Sequence, residues 1–75
     1  MIPAVHSRAL FAGNRRAGAL ERWRDTAHVV AIRWRVFLEA GPGDRAWAFV
    51  FYVAALDAEE AAAADLAALS SRVAA

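Results

Sequence analysis

Cysteine and lysine are both absent from this sequence of 75 residues. The lack of cysteine excludes disulfides, one of the usual means by which small domains are stabilised. All nine basic residues are Arg and Ala occupies 21 positions, a bias typical of high-GC bacterial genomes, so arginine alone is weak evidence for nucleic-acid binding. A chain of this length buries only about 60% of the surface of its unfolded form. We therefore expect one small domain that buries an apolar face against a partner.

Residue patterns for catalysis or metal binding are also missing. His6 and His28 have no neighbouring cysteine and no metal-ligand spacing. No serine lies in a GxSxG motif, and Gly41-Pro42-Gly43 lacks the GxGxxG spacing of a phosphate-binding loop. We predict that the protein is not an enzyme, with no catalytic, cofactor-binding or metal-binding residues and no cofactor.

Long apolar runs are missing as well. The longest uncharged apolar run, from Ala46 to Leu56, is much shorter than the roughly 20 residues that a membrane-spanning helix needs. The segment from Met1 to Arg8 lacks the basic region and the uninterrupted apolar core of a signal peptide. We expect a cytoplasmic protein that does not bind a membrane.

Glycine and proline suggest where the ordered elements begin and end. Residues 1–13 are predicted to form a flexible, irregular arm that ends at Gly13, and residues 14–75 to form the single small domain. Asn14 is the predicted N-cap of a first helix. Gly41 is the predicted left-handed residue that ends this helix, with Pro42 unable to continue it, and Asp44 is the predicted N-cap of a second helix.

Apolar residues spaced alternately by three and four positions give each helix one apolar face. On the first helix these residues are Leu20, Trp23, Ala27, Val30, Trp34 and Phe37. On the second helix they are Trp47, Phe51, Ala54, Ala58, Ala62, Leu66, Leu69 and Val73. The pattern predicts an all-α fold, an antiparallel helical hairpin that dimerises into a four-helix bundle.

An α+β alternative uses the same residues differently, as a β-hairpin over residues 28–54 followed by a C-terminal helix. Val29 to Leu38 and Trp47 to Val53 are rich in β-branched and aromatic residues, which favours strands. The capping-box pattern from Asp57 to Glu60 would then start the helix. We favour two helices because the first apolar stripe is continuous from Leu20, whereas strands leave residues 20–27 unexplained.

The predicted function is that of a small interaction or assembly protein acting through an apolar oligomerisation surface, with a homodimer favoured and a different partner protein as the other option. The predicted interface residues are Leu20, Trp23, Val30, Trp34, Phe37, Trp47, Phe51, Leu66 and Leu69. Further apolar strips expected to be exposed on the two helices consist of Val29, Ile32, Val36, Phe49, Val53 and Leu56. The less favoured alternative is a nucleic-acid-binding or regulatory protein that uses Arg8, Arg15, Arg16, Arg22 and Arg24.

Charge is distributed unevenly along the chain. Residues 1–39 carry seven Arg and three acidic residues, a net charge of +4, and residues 40–75 carry two Arg and five acidic residues, a net charge of −3. If the two halves fold back on each other, much of the basic charge is neutralised within the molecule.

The Ala-rich stretch from Ala46 to Leu66 (AWAFVFYVAALDAEEAAAADL) resembles segments of small uncharacterised helical proteins from high-GC Gram-positive bacteria. The resemblance covers under a third of the chain. It implies a helix here and no particular functional residues.

Overall fold

The protein is an antiparallel helical hairpin. The structure, a computed structural model, describes residues 4–74, with side chains over residues 13–71. Helix α1 spans Ala4–Glu39 and helix α2 spans Arg45–Ala74. The two helices pack against each other along their length in a flat, elongated shape of 64 × 22 × 12 Å. The radius of gyration is 17.7 Å, whereas a compact domain of this length has about 11 Å.

The predicted hairpin of helices is confirmed, and the alternative with a β-hairpin over residues 28–54 is wrong. The described backbone is helical on both sides of a short turn and contains no strand. The β-branched and aromatic residues on either side of Gly41 favour strands only locally. The apolar spacing of three and four continues from Trp23 through Phe37, and this helical period prevails over local propensity.

Helix α1 passes through both of the glycines that precede residue 20. Because α1 begins at Ala4, the predicted end of an irregular segment at Gly13 and the predicted N-cap at Asn14 are wrong. A single glycine costs a helix only about 1 kcal/mol relative to Ala, and extending a helix is far easier than starting one. The flexibility predicted for residues 1–13 stays a prediction, and Met1 to Pro3 lie outside the described residues.

Residues 40–44 form a tight turn between the helices. The carbonyl oxygen of Gly41 accepts hydrogen bonds from the N–H groups of Asp44 and Arg45, each at 3.0 Å. None of the described glycines has a positive φ, so the left-handed conformation predicted for Gly41 is wrong. The chain reverses instead through the rigid ring of Pro42 and through the Gly41 carbonyl, which accepts two hydrogen bonds.

Asp44 precedes the first residue of α2 and therefore occupies the predicted N-cap position. Its carbonyl oxygen accepts the N–H of Ala48 at 3.0 Å, the first hydrogen bond of the helix. Its carboxylate accepts a hydrogen bond from the indole Nε1–H of Trp47 at 3.0 Å. The side chain thus fixes an aromatic ring at the start of α2.

The seam between the helices is lined on α2 by alanines at intervals of seven residues. Ala48, Ala55 and Ala62 are 1%, 7% and 1% exposed, and they are the only buried apolar residues in the part of the chain whose side chains are described. A repeat of seven keeps one helix face towards its partner, as in a coiled coil. Because alanine has a single methyl group, these positions let the two helices approach each other closely. The hairpin consequently has no large, fully buried side chain among these residues.

The observed seam differs in register from the predicted stripe in the first half of α2. The buried or partly buried positions are Ala48, Tyr52 and Ala55, one residue after the predicted Trp47, Phe51 and Ala54. From Ala62 onward, through Leu66 and Leu69, the predicted and observed positions agree. Large side chains were expected inside, but close helix packing selects small ones, which leaves the tryptophan and the phenylalanine on the surface.

A similar shift occurs on α1. Thr26 and Arg33 lie on the partly buried side of the helix, and Trp34, predicted for the apolar face, is 43% exposed. The hydroxyl of Thr26 donates a hydrogen bond to the carbonyl oxygen of Trp23 at 2.8 Å, which satisfies this polar group within its own helix.

Candidate functional site: an exposed apolar surface near the turn

Large apolar side chains are exposed over the half of the hairpin that contains the turn. Ten of them are at least 36% exposed, and in the part of the chain with described side chains all ten fall between residues 29 and 56. They are Val29, Ile32, Trp34, Leu38, Trp47, Phe49, Val50, Phe51, Val53 and Leu56. The exposure predicted for the further apolar strips is confirmed for five of six residues, since only Val36 is partly buried.

One broad face of the hairpin carries a cluster of four aromatic rings. The ring of Trp34 lies 5.1 Å from that of Tyr52, and Phe37 lies 5.7 Å from Phe49, measured between ring centroids. Trp34 and Phe37 also contact each other at 5.6 Å, so the cluster joins the two helices. These separations fall in the range in which aromatic pairs attract each other.

Two exposed leucines extend this cluster along the same face. Leu38 follows Trp34 by four residues and Leu56 follows Tyr52 by four, and residues four apart lie on one side of a helix. We call the surface formed by Trp34, Leu38, Phe49, Tyr52 and Leu56 the aromatic face. Helical geometry directs the nearby Arg33 to the opposite face and Arg35 to the outer side of α1. None of the five residues that define the aromatic face is charged, and neither Arg33 nor Arg35 points towards it.

The opposite broad face contains charged side chains, and we call it the arginine face after Arg22 and Arg33. The guanidinium of Arg33 lies 5.0 Å from the ring centre of Phe51, a cation–π contact. Arg22 forms an ion pair with Asp65 across the two helices. Trp47 and Phe51 lie on this face in edge-to-face contact, with ring centroids 5.6 Å apart.

The Arg22–Asp65 pair bears on the predicted charge complementarity. It joins the basic first half of the chain to the acidic second half, and it is the one such pair within the described residues. Both side chains are more than half exposed, so solvent screens their attraction. Beside the pair, a groove of about 400 Å³ is lined by residues that include Arg15, Gly18 and Leu69.

The structure divides the predicted interface residues among three locations. Six of them are partly buried between the helices: Leu20, Trp23, Val30, Phe37, Leu66 and Leu69. Trp34 lies on the aromatic face, whereas Trp47 and Phe51 lie on the arginine face. Their participation in contacts between copies of the chain stays a prediction.

Leu38 and Tyr52 belong to the aromatic face but were not among the predicted interface residues. Leu38 could have been found from its spacing of four after Trp34. Tyr52 could have been found from the repeat of Ala48, Ala55 and Ala62, because that repeat sets the register of α2 and places Tyr52 at the edge of the seam.

The arginines proposed for nucleic-acid binding do not form one surface. Arg15 and Arg22 line the groove on the arginine face. Helical geometry places Arg24 on the aromatic side of α1, and Arg16, seven residues before Trp23, continues the line of residues that faces α2. The side chain of Arg8 lies outside the described residues. Because Arg22 is also paired with Asp65, the structure brings together only part of this predicted set.

Among the described residues, no group of three or more His, Asp or Glu side chains is placed to hold a metal ion. Neither described helix has an apolar stretch long enough to cross a membrane. Comparison with models of protein families, with curated proteins and with solved structures finds no match for this chain. Fold and surface together define a helical hairpin with an exposed apolar surface near its turn.

Proposed function

We propose that this protein is a non-catalytic assembly protein that acts by associating with a second copy of itself through the apolar surface near the turn. The observation that carries the proposal is the contrast between inside and outside. Among the side chains described over residues 13–71, the buried apolar ones are three alanines, whereas ten large apolar side chains are exposed, all of them between Val29 and Leu56. Exposed apolar surface beyond what single scattered residues provide marks protein interaction sites.

The total surface supports the same proposal. The single chain exposes 5,861 Å², whereas a compact monomer of its mass exposes about 4,500 Å². The excess arises because a hairpin of two long helices is only one layer thick. Small helical proteins usually obtain a core by packing one layer on another, and two hairpins form the two layers of a four-helix bundle.

Thermal unfolding followed by circular dichroism at several protein concentrations tests the proposal. If the folded state is a dimer, the midpoint of unfolding rises with concentration, because association is linked to folding by mass action. We expect a clear rise across the micromolar range. An identical midpoint at every concentration would contradict self-association.

Two matched variants give this measurement a control. Phe49 is 50% exposed on the aromatic face, and Phe49→Glu would place a carboxylate in the apolar contact. Ala64→Glu introduces the same carboxylate on the outer side of α2, where the residue is exposed. We expect Phe49→Glu to abolish the concentration dependence and Ala64→Glu to preserve it.

A further inference from the structure

We infer that two hairpins associate in parallel, aromatic face against aromatic face, with both turns at the same end of the assembly. This inference rests on the proposed self-association and specifies its geometry. Three symmetric arrangements are available: a parallel one, an antiparallel one that overlaps along the full length, and an antiparallel one that overlaps only near the turns. The apolar pattern, the charges and the area discriminate among them.

The apolar pattern disfavours full antiparallel overlap. Among the side chains described over residues 13–71, the exposed large apolar ones lie between Val29 and Leu56, and residues 13–26 and 57–71 have none. Full antiparallel overlap would cover this apolar surface with the segments 13–26 and 57–71 of the partner, whose exposed side chains are alanines and polar or charged residues. The parallel arrangement and the short antiparallel overlap both place apolar surface on apolar surface.

Charge complementarity favours the parallel arrangement. When two hairpins face each other about a two-fold axis along their length, α1 of one copy lies over α2 of the other. The net charge of residues 1–39 is +4 and that of residues 40–75 is −3, so oppositely charged helices become neighbours and like-charged helices become diagonal. Both antiparallel arrangements place α1 beside α1 and α2 beside α2.

A specific ion pair follows from this arrangement. Arg22 contacts Asp65 within one chain, so Arg24 lies at the height of Ala63 and within one turn of Glu60. Both residues are exposed, and helical spacing places them on the side of the aromatic face, since Arg24 lies fourteen residues before Leu38 and Glu60 lies four residues after Leu56. In the parallel assembly, Arg24 of each copy faces Glu60 of the second copy.

The area also favours overlap along the full length. Two separate hairpins together expose about 11,700 Å², and a compact protein of twice the mass exposes about 7,500 Å². Closing most of this difference requires contact along the whole 64 Å of the hairpin. An overlap confined to the half near the turn covers only about half as much of each face.

The aromatic face is the better of the two broad faces for this contact. Burying the arginine face would remove water from Arg33 and from the Arg22–Asp65 pair, which costs free energy unless new partners replace the water. The aromatic face carries only apolar side chains and the phenol of Tyr52 near the turn. Its burial near the turn therefore costs little, and the charged Arg24 and Glu60 further along the same side become partners of each other across the two copies.

Two substitutions of equally exposed residues test the choice of face. Leu38 is 61% exposed on the aromatic face, and Val50 is 63% exposed on the other side of the hairpin. Leu38→Glu should raise the dissociation constant of the dimer by roughly a hundredfold, because it buries an unpaired carboxylate. Val50→Glu should change it by less than about threefold. Equal weakening by both variants would overturn the assignment of the face.

Distances between spin labels test the parallel arrangement. The chain has no cysteine, so each single-cysteine variant carries one label per copy. Gly43→Cys labels the turn, where an added Cβ meets no atom within 4 Å, and Ser71→Cys labels an exposed site near the other end of α2. In the parallel assembly both labels lie within about 30 Å of their counterparts. In either antiparallel assembly, the two labels at residue 43 or the two labels at residue 71 are about 50 Å apart, given a rise of 1.5 Å per residue.

Sedimentation of the same labelled proteins separates the two possible failures. A dimer with two short distances supports the parallel arrangement. A dimer with one long distance overturns it while leaving self-association intact. A monomer with no distance between copies contradicts both the inference and the proposed function.

Discussion

The two halves of this hairpin share one packing pattern and differ in what they expose. Near the turn, residues 27–56 surround the seam with aromatic and branched side chains that remain open to solvent. Towards the other end, residues 13–26 and 57–71 expose mainly alanines, arginines and acidic residues. The ion pair between Arg22 and Asp65 links these two segments. The alanines of the seam span both halves. Helix pairing is therefore a property of the whole chain, whereas the candidate association surface belongs to one half.

Apolar residues have two separate roles in this hairpin. Ala48 and Ala62 are equally buried, one in each half, and both allow close approach of the helices. Trp34 and Phe49 are large enough to form a core, yet they remain about half exposed. In a single hairpin such side chains are only partly removed from water, so they gain little free energy from burial. A second layer packed on them would bury the rest of their apolar surface.

The largest effect is expected from Phe37→Ala, which removes the ring that contacts Trp34, Phe49 and Tyr52. We expect the free energy of unfolding to fall by about 2–3 kcal/mol, near the lower limit for loss of a buried aromatic ring because Phe37 is only partly buried. Urea denaturation at a fixed protein concentration measures the change.

Trp23→Ala is the matched substitution in the other half. Trp23 is also partly buried, but it has no aromatic contact among the described residues. Its loss should therefore destabilise the protein less than loss of Phe37. A larger loss of stability in Trp23→Ala would show that the half away from the turn contributes more to packing.

The next effect concerns the alanine seam. Ala62→Leu should lower the free energy of unfolding by about 1–3 kcal/mol, because the added side chain forces the helices apart. Ala48→Leu should cost a similar amount, since both alanines are 1% exposed. Ala64→Leu, on the outer side of α2, is the control and should be nearly neutral in thermal denaturation. A neutral result for Ala62→Leu would mean that the helices do not pack closely at this position.

A smaller, stabilising effect is expected from Gly18→Ala. Gly18 lies inside α1, and an added Cβ meets no atom within 4 Å outside the helix itself. Replacing glycine by alanine in a helix interior should stabilise the protein by about 0.5–1 kcal/mol. A higher midpoint of thermal unfolding would support a continuous α1 in this region. A lower midpoint would indicate that Gly18 is needed for a break in the helix.

The smallest effect is expected at the ion pair between the helices. A double-mutant cycle with Arg22→Ala and Asp65→Ala should give a coupling of about 0.2–1 kcal/mol, as for other exposed pairs. The coupling should decrease when salt is raised, since salt screens exposed charges. A coupling well above this range that persists in high salt would contradict the exposure found here.

Much of the fold, and less of the surface, could be predicted from the sequence. The alternating spacing from Trp23 to Phe37 predicted α1 over that region, and Gly41 with Pro42 predicted the turn. The register of α2 could not be predicted by following the largest apolar residues, because Ala48 and Ala55 are inside and Trp47 and Phe51 are outside. That choice depends on how closely two helices approach, a property of their pairing that neither helix shows alone.

The start of α1 at Ala4 also could not be predicted from the residues around Gly13 and Asn14 alone. Gly13 and Asn14 form a typical stop and cap, and the sequence gives no measure of whether the preceding residues continue the helix. The division of apolar residues between two opposite faces follows from the position of α2 beside α1. Trp34 and Phe51 therefore look equivalent in the sequence although they lie on opposite sides of the molecule.

Sedimentation equilibrium of the unmodified protein tests most directly whether the surface near the turn is covered by a second copy. The chain has a mass of 8.1 kDa. We predict a species of twice that mass across the micromolar range and its dissociation to monomer in Leu38→Glu. A folded species of 8.1 kDa at every concentration would contradict the account.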